Sequence, residues 1–595
     1  MSRVEPHPAR APTAHQAWRW LAESVWRVEH AFERSKAEGR AADDTRLRIF
    51  FILSIFALAF VTLAVEAGRA ALFSDAGRSA FDAALPASAR ADLVDRNGRL
   101  LALNLPHYGL YLDGREVWDR DETRRGLLAA LPNISKDRLD KALVSDRREY
   151  LIGGLTPKER ERVRNLGLPG VGFEEEQRRV YPLGRSAAHL IGFTATGGRG
   201  LAGAERALDG EIHAAAADHK PVALAADLRI QAVLQEELQR GLAEYHANAA
   251  VGVVTNVHTG EILALASLPD FDPNDPGDAT PAGRLDRAAA SVYEMGSTFK
   301  VFTFAMGLDS GVATPSSTYN ATEPLRIGSR VIHDFHATHE VMSLEDVFLH
   351  SSNIGTARLA LMAGADRLTK YFNRFGLFDA ANVELAESAQ PLVPRKWDEN
   401  TVASASFGHA ISVTPLMVAA GVGSIMNGGT YVPLTIEKRA PGAVPEGRRV
   451  VSPETSRAML DLMRANVASK AGSGGKADAL GLRVGGKTGS AEKAINGRYE
   501  RKRLISSFAA VFPTDGALED PRYLVLILFD EPKGTKETFG FATAGWNAAP
   551  VAGRVIDRIA PFVGVARTPT TLFGQTGLGP AAANPVVDAP SEGGL

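Results

Sequence analysis

Tyr293-Glu294-Met295-Gly296-Ser297-Thr298-Phe299-Lys300-Val301-Phe302 places a serine after a glycine and a lysine three residues further on. Residues three apart share a helix face, so the Ser297 hydroxyl and the Lys300 amine can meet as nucleophile and base. The surrounding Met295, Phe299, Val301, Phe302, Phe304, Met306 and Leu308 predict a helix apolar on every side, and therefore buried. Burial disfavours an ammonium group, which suits Lys300 to accept a serine proton. The spacing alone is not specific. Ser-x-x-Lys recurs at Ser473/Lys476 and Ser490/Lys493, and neither pair heads an apolar helix.

The segments on either side supply a layered setting. Asp227 caps a predicted helix reaching residue 245, with Ile230, Val233, Leu234, Leu238 and Leu242 on one face. Strands are predicted at 251–257 and 261–267 around a tight turn, and again at 504–512 and 523–529. A closing helix is predicted at 549–562. An outer helix, a sheet and an inner helical region holding the serine predict an α/β enzyme domain over 222–566.

Upstream, 66–221 predicts a smaller α+β domain. It holds two short strands around Asn97-Gly98, helices at 115–131, 136–144 and 157–166, and an extended, charged run at 170–182 read as a solvated strand face. Residues 1–48 are polar and rich in Arg and Glu. Residues 49–65 carry no charge, a run at the short end for a bilayer-spanning helix but too long for the core of a signal peptide. Arg34, Lys36, Arg40, Arg46 and Arg48 precede this run and only Arg69 and Arg78 follow it closely, which predicts an N-terminus in the cytoplasm and everything after the anchor outside. The Pro-, Gly- and Ala-rich 567–595 predicts a disordered tail.

At 595 residues, two or three globular units are expected. A net charge of -2 argues against a nucleic-acid partner. With no cysteine the chain has no disulfide, no thiolate metal site and no cysteine nucleophile.

Two further motifs follow the serine in order. His350-Ser351-Ser352-Asn353-Ile354 offers a hydroxyl and an amide two residues apart, ahead of another apolar helix. Gly485-Gly486-Lys487-Thr488-Gly489-Ser490 precedes the paired core strands, its glycines permitting close backbone approach by a ligand and its lysine and threonine able to hold a carboxylate.

Ser297-x-x-Lys300, Ser351-x-Asn353 and Lys487-Thr488-Gly489, in that order, resemble the motif set of penicillin-binding proteins and serine β-lactamases. The likeness extends through 90–102, 178–193, 200–209, 259–274, 404–415 and 427–433, where the chain is similar to class B penicillin-binding proteins, and most of all to the septal, FtsI-type transpeptidases of Gram-negative bacteria. The fold implied is a serine β-lactamase-like transpeptidase domain preceded by a pedestal and one N-terminal transmembrane helix. The activity implied is peptidoglycan cross-linking through a serine acyl-enzyme. Ser297 would attack a D-Ala–D-Ala carbonyl with Lys300 as base, and Ser351 and Asn353 would relay protons and orient the peptide. Lys487 and Thr488, beside Gly489, would bind the terminal carboxylate, and the backbone N–H groups of Ser297 and Ser490 would stabilise the oxyanion.

No metal or other cofactor is implied. β-Lactams would be covalent inhibitors, and an FtsW-type glycosyltransferase and other divisome proteins of the inner membrane would be partners. Met295, Ser490 and Met417 depart from common family residues without touching a catalytic group. Neighbouring readings are an elongation-type class B enzyme, a D,D-carboxypeptidase, and a silent β-lactam-binding sensor or division scaffold. A class A enzyme needs a glycosyltransferase domain, for which roughly 150 residues before the transpeptidase are too few.

Overall fold

The computed structural model describes residues 90–568, apart from 336, 444, 496 and 497, together with 26, 30, 52 and 55–64. Most of the predicted tail 1–48, much of the anchor 49–65, the start of the pedestal and the tail from 569 lie outside the described residues. In the N-terminal unit, 1–85, residues 55–64 are helical and expose Ile55, Phe56, Leu58, Phe60, Val61 and Leu63. Among the described residues no helix is long and apolar enough to cross a membrane.

The second unit, 86–595, opens with the predicted pair of strands, β1 (Leu93–Val94) and β2 (Leu100–Asp113). The Asp95 carboxylate closes the turn between them by accepting from the Asn97 and Arg99 backbone N–H groups, both at 2.8 Å. Strand β2 is the hub of the pedestal sheet. It pairs antiparallel with β3 (Arg148–Leu155) and β4 (Val171–Val180), while β5 (Val222–Ala223) runs parallel to β1. Helices α1 (Arg120–Ala130), α2 (Lys136–Val144) and α3 (Pro157–Arg164) bury Leu127, Leu139 and Val163 against Leu110 and Leu112 of β2. Helix α1 starts at Arg120 and not at 115, because the Asp119 side chain accepts from the Glu122 N–H and so caps it there.

The charged run on β4 is not wholly solvated. Arg179 turns inward, and its Nε donates to Glu205 Oε1 at 2.7 Å, while Arg90 Nη2 lies 2.6 Å from Glu205 Oε2. All three side chains are buried. Glu205→Ala leaves the buried Arg179 without its carboxylate, and a loss of about 3–5 kcal/mol is expected. Thermal unfolding checks this, and an unchanged melting temperature would contradict the assignment.

The larger domain is built on five antiparallel strands: β6 (Ala249–Asn256), β7 (Ile262–Leu268), β8 (Gly485–Ile495), β9 (Arg498–Phe512) and β10 (Tyr523–Asp530), in spatial order β8-β9-β10-β6-β7. Among its helices, those that frame the sheet and the site are α4 (Leu228–Glu244), α5 (Lys300–Asp309), α6 (Asn353–Ala363), α7 (Pro415–Met426), α8 (Pro453–Ala468) and α9 (Ala548–Ile559). Helices α4 and α9 cover one face, where Leu234, Leu238, Val551 and Ile556 meet Val254, Ile527 and Phe529. Helix α7 covers the other, its Val418 and Val422 in one core with Val253 and Leu526 of the sheet, and α5 packs on α7 with Phe302 and Phe304 in that same core. A sheet covered on both sides has no solvent face, which is why its central strands read as unbroken apolar runs. The fold is the expected α/β layering, with the serine on the inner side.

Candidate active site

The serine does not lie on the long helix itself. Gly296–Phe299 form a 3₁₀ turn, and α5 begins at Lys300. In a 3₁₀ turn residues i and i+3 eclipse, so Ser297 and Lys300 share a face more directly than in the α-helix expected for this stretch. Phe299 and Phe302 pack edge to face at 5.3 Å, with Phe372 against Phe299 at 5.6 Å, and this holds the turn from below. Ser297 is half-buried, whereas Lys300 has no exposed surface.

Two glycines let other segments close on the turn. A Cβ at Gly489 of β8 would lie 2.3 Å from the Met295 carbonyl oxygen and equally close to Thr298 Oγ1. Thr298 Oγ1 is in turn 3.0 Å from Ser507 Oγ on β9. Opposite, Gly296 N–H donates to the Gly408 carbonyl at 3.2 Å. Gly408 has φ +83°, and a Cβ there would sit 2.1 Å from the Gly296 oxygen. Gly408→Ala therefore adds a clash to backbone strain, and a loss beyond about 1 kcal/mol is expected, with slower acylation because the turn must move. Gly311→Ala, at φ +70° with open space around it, isolates the strain. Thermal unfolding of the two variants should rank Gly408→Ala as the less stable, and equal losses would contradict the role given to the close approach.

The second motif sits at the head of α6. Asp334 Oδ2 accepts from the Ser352 hydroxyl at 2.6 Å, and Oδ1 accepts from the Asn353 and Ile354 N–H groups at 2.5 and 2.9 Å. Ser351 precedes this cap with φ +56°, a conformation uncommon outside glycine and concentrated at functional sites. Its carbonyl and hydroxyl both face the Lys300 amine. Lys300 Nζ donates to the Ser351 carbonyl, to Ser351 Oγ at 3.1 Å and to Asn353 Oδ1 at 2.9 Å. Asn353 Nδ2 donates to the His333 carbonyl at 3.2 Å, which fixes the amide with its oxygen toward the lysine.

The third motif lies on β8, held by pairing with β9 in the register Lys487 to Ala509. Lys487 is fully buried, and its Nζ donates to Ser351 Oγ at 2.9 Å. Burial holds the Lys300 amine well below the usual lysine range, helped by the Lys487 charge and opposed by Asp334. Burial also brings Lys487 down to about 7. A neutral Lys300 keeps two N–H donors for the Ser351 carbonyl and Asn353 Oδ1 and leaves a lone pair for a hydroxyl. Thr488 Oγ1 lies 3.4 Å from Lys487 Nζ. The Ser490 hydroxyl accepts from the Ala544 N–H at 3.1 Å, tying β8 to the segment before α9.

The three motifs thus meet in one polar cluster around the buried amines of Lys300 and Lys487. One expected contact is not made. Among the described residues no hydrogen bond joins the Ser297 hydroxyl to Lys300, because the amine is engaged by oxygens of the Ser351–Asn353 segment. Of the two other Ser-x-x-Lys matches, Ser490/Lys493 is structural, Lys493 pairing with Asp530 at 2.7 Å. Ser473, whose Ser-x-x-Lys pair heads no apolar helix, nevertheless reaches the third motif. Its hydroxyl lies 2.7 Å from Thr488 Oγ1. Asp334, Ser473 and Asn466, whose Oδ1 accepts from the Ser473 N–H at 3.1 Å, join the site without a spacing rule that marks them.

Residues 250–556 match the penicillin binding protein transpeptidase domain family, and 86–209 match the penicillin-binding protein dimerisation domain family. The chain is 57% identical to a probable peptidoglycan D,D-transpeptidase FtsI of Caulobacter vibrioides, over 95% of this chain and 96% of that one. It is 32% identical to the peptidoglycan D,D-transpeptidase FtsI of Escherichia coli K12, over 79% and 83%. In fold it is similar to penicillin binding protein 3 of Mycobacterium tuberculosis, solved in complex with aztreonam, with a TM-score of 0.62 and 24% identity over 81% of this chain and 98% of that one. With the transpeptidase match spanning half of its residues and the Caulobacter relative aligned along nearly all of them, this chain belongs to the FtsI-type penicillin-binding protein family.

Proposed function

We propose that this protein cross-links peptidoglycan stem peptides in septal wall synthesis, as a D,D-transpeptidase acting through an acyl-enzyme on Ser297. The observation that carries the reading is the hydrogen-bonded convergence of Lys300, Ser351, Asn353 and Lys487 beside the Ser297 turn. Ser297 Oγ attacks the carbonyl of the penultimate D-Ala as its proton passes to the Lys300 lone pair. The backbone N–H groups of Ser297 and Ser490, on two segments pressed together at Gly296, stabilise the oxyanion, each donor of this kind contributing roughly 10²–10³ in rate. The intermediate collapses, and the D-Ala amine leaves with a proton supplied by Lys300 through Ser351. An acceptor amine then attacks the ester and loses its proton by the same route, which forms the cross-link and restores Ser297. Lys487 and Thr488 hold the terminal carboxylate through acylation, until it departs with the leaving D-Ala. A β-lactam enters the same cycle, but its leaving group stays tethered, and the acyl-enzyme persists.

The protein is placed in the inner membrane with the catalytic domain in the periplasm. The uncharged run 49–65, its apolar side chains exposed in 55–64, and the excess of basic residues before it support this reading. An FtsW-type glycosyltransferase is the partner proposed for the anchor and pedestal. Depletion followed by microscopy tests the septal role: filaments are expected, and rounded cells would move the protein to elongation.

The pH profile of acylation follows from the two lysines. Lys300 must be neutral to take the proton, so the rate rises as pH climbs through its lowered pKa. Lys487 must be charged to hold a carboxylate, so acylation of the free enzyme falls as pH rises past about 7. Rates with a penicillin acid should show that alkaline limb, and rates with the corresponding ester should lack it. The same limb with both compounds would remove Lys487 from carboxylate binding.

A further inference from the structure

Ser473 is in the loop between α8 and β8, and no step of the mechanism above uses it. Its surroundings set the direction of its hydrogen bonds. Asn466 Nδ2, from α8, donates to the Gly486 carbonyl at 2.7 Å. That bond fixes the amide, so Asn466 Oδ1 faces Ser473, whose backbone N–H donates to it at 3.1 Å. The Ser473 hydroxyl then has two acceptors in reach, Asn466 Oδ1 at 3.2 Å and Thr488 Oγ1 at 2.7 Å.

A hydroxyl carries one proton, so the chain Asn466–Ser473–Thr488 has two self-consistent arrangements. In one, Thr488 donates to Ser473 and Ser473 donates to Asn466. The Thr488 oxygen then turns lone pairs outward, which repels an anion. In the other, Ser473 donates to Thr488, and Asn466 Oδ1 is still satisfied by the Ser473 N–H. Thr488 now accepts from Ser473 and from the Lys487 ammonium at 3.4 Å, and its own proton has to find an acceptor elsewhere.

We infer that Ser473 is a positioning residue for the carboxylate subsite: its hydroxyl, backed by Asn466, turns the Thr488 proton toward the terminal carboxylate of the donor peptide. This rests on the reading of Lys487 and Thr488 as the carboxylate anchor. Ser473 need not touch substrate. Binding of an anion selects the second arrangement, and the locked Asn466 amide keeps the reversal free of an unsatisfied buried oxygen.

Benzylpenicillin and its methyl ester separate this role from general support of the fold. Acylation of the full-length protein by each compound is followed by intact mass in wild type, Ser473→Ala, Thr488→Val and the double variant. The expected result is an acylation efficiency about 10-fold lower for the acid in Ser473→Ala, the size of one hydrogen bond serving a charged group. The loss should fall on binding, with the saturating rate unchanged, and the ester should react as with wild type. The double variant should be no slower with the acid than Thr488→Val alone. Equal losses on acid and ester, additivity with Thr488→Val, or a wild-type rate for Ser473→Ala with the acid would each overturn the proposal. Thr488→Val acylated by the acid at the wild-type rate would instead overturn the carboxylate anchor, and the proposal with it.

Discussion

Ser297→Ala is expected to abolish covalent labelling by penicillin and cross-linking of stem peptides, a loss on the order of 10⁴-fold or more, as for removal of other serine nucleophiles. The effect should be chemical and not structural. Ser297 is half-buried on the exposed side of a 3₁₀ turn, and the turn is held by Phe299, by Gly489 and by the Gly296–Gly408 hydrogen bond. None of these needs the hydroxyl. Thermal unfolding should match wild type within the usual range for a surface change, about 0.5 kcal/mol. A stable variant that still labelled would place the nucleophile elsewhere.

The second large effect is expected at Lys300. Lys300→Met keeps an unbranched apolar stem in a fully buried position but removes the amine that donates to the Ser351 carbonyl and Asn353 Oδ1. Loss of a general base costs about 10²–10⁴ in rate, and acylation should fall by that much. Stability should change little, because two opposing terms meet. The Asn353 and Ser351 oxygens lose a donor, and a buried amine that resists its charge is gone. Acylation is measured by time-resolved labelling and stability by thermal melt. A folded variant acylated at the wild-type rate would mean that another group, with Lys487 the nearest candidate, takes the serine proton.

The layered domain was legible because its evidence is local and repetitive. The capped helix at Asp227, the apolar runs of β6, β9 and β10 and the closing helix each announce themselves by period and punctuation. Motif order and the family resemblance singled out the eight candidate positions, and the structure brings the segments carrying them together. What the sequence hid is decided by tertiary contact. Arg179 sits in a run of charges typical of a solvated strand, and only the distant Arg90 and Glu205 make it a buried ion pair. Ser473 looks like a loop residue because its partners, Asn466 and Thr488, are on two different elements. The 3₁₀ geometry at Ser297 was missed for a subtler reason: the same residues suit an α-helix, and the tighter turn is imposed where Gly489 and Gly408 press on it.

The most direct test of the account is peptide mapping after a short incubation with benzylpenicillin. Cleavage after Arg287 and Lys300 releases residues 288–300, which contain Ser291, Ser297 and Thr298 as hydroxyl side chains besides Tyr293. Opening of the lactam adds the whole inhibitor to the nucleophile with nothing lost. The predicted result is one adduct of that mass on this peptide, placed at Ser297 by fragmentation. An adduct on Ser351, Ser473 or Ser490, or intact protein with no adduct at all, would contradict it.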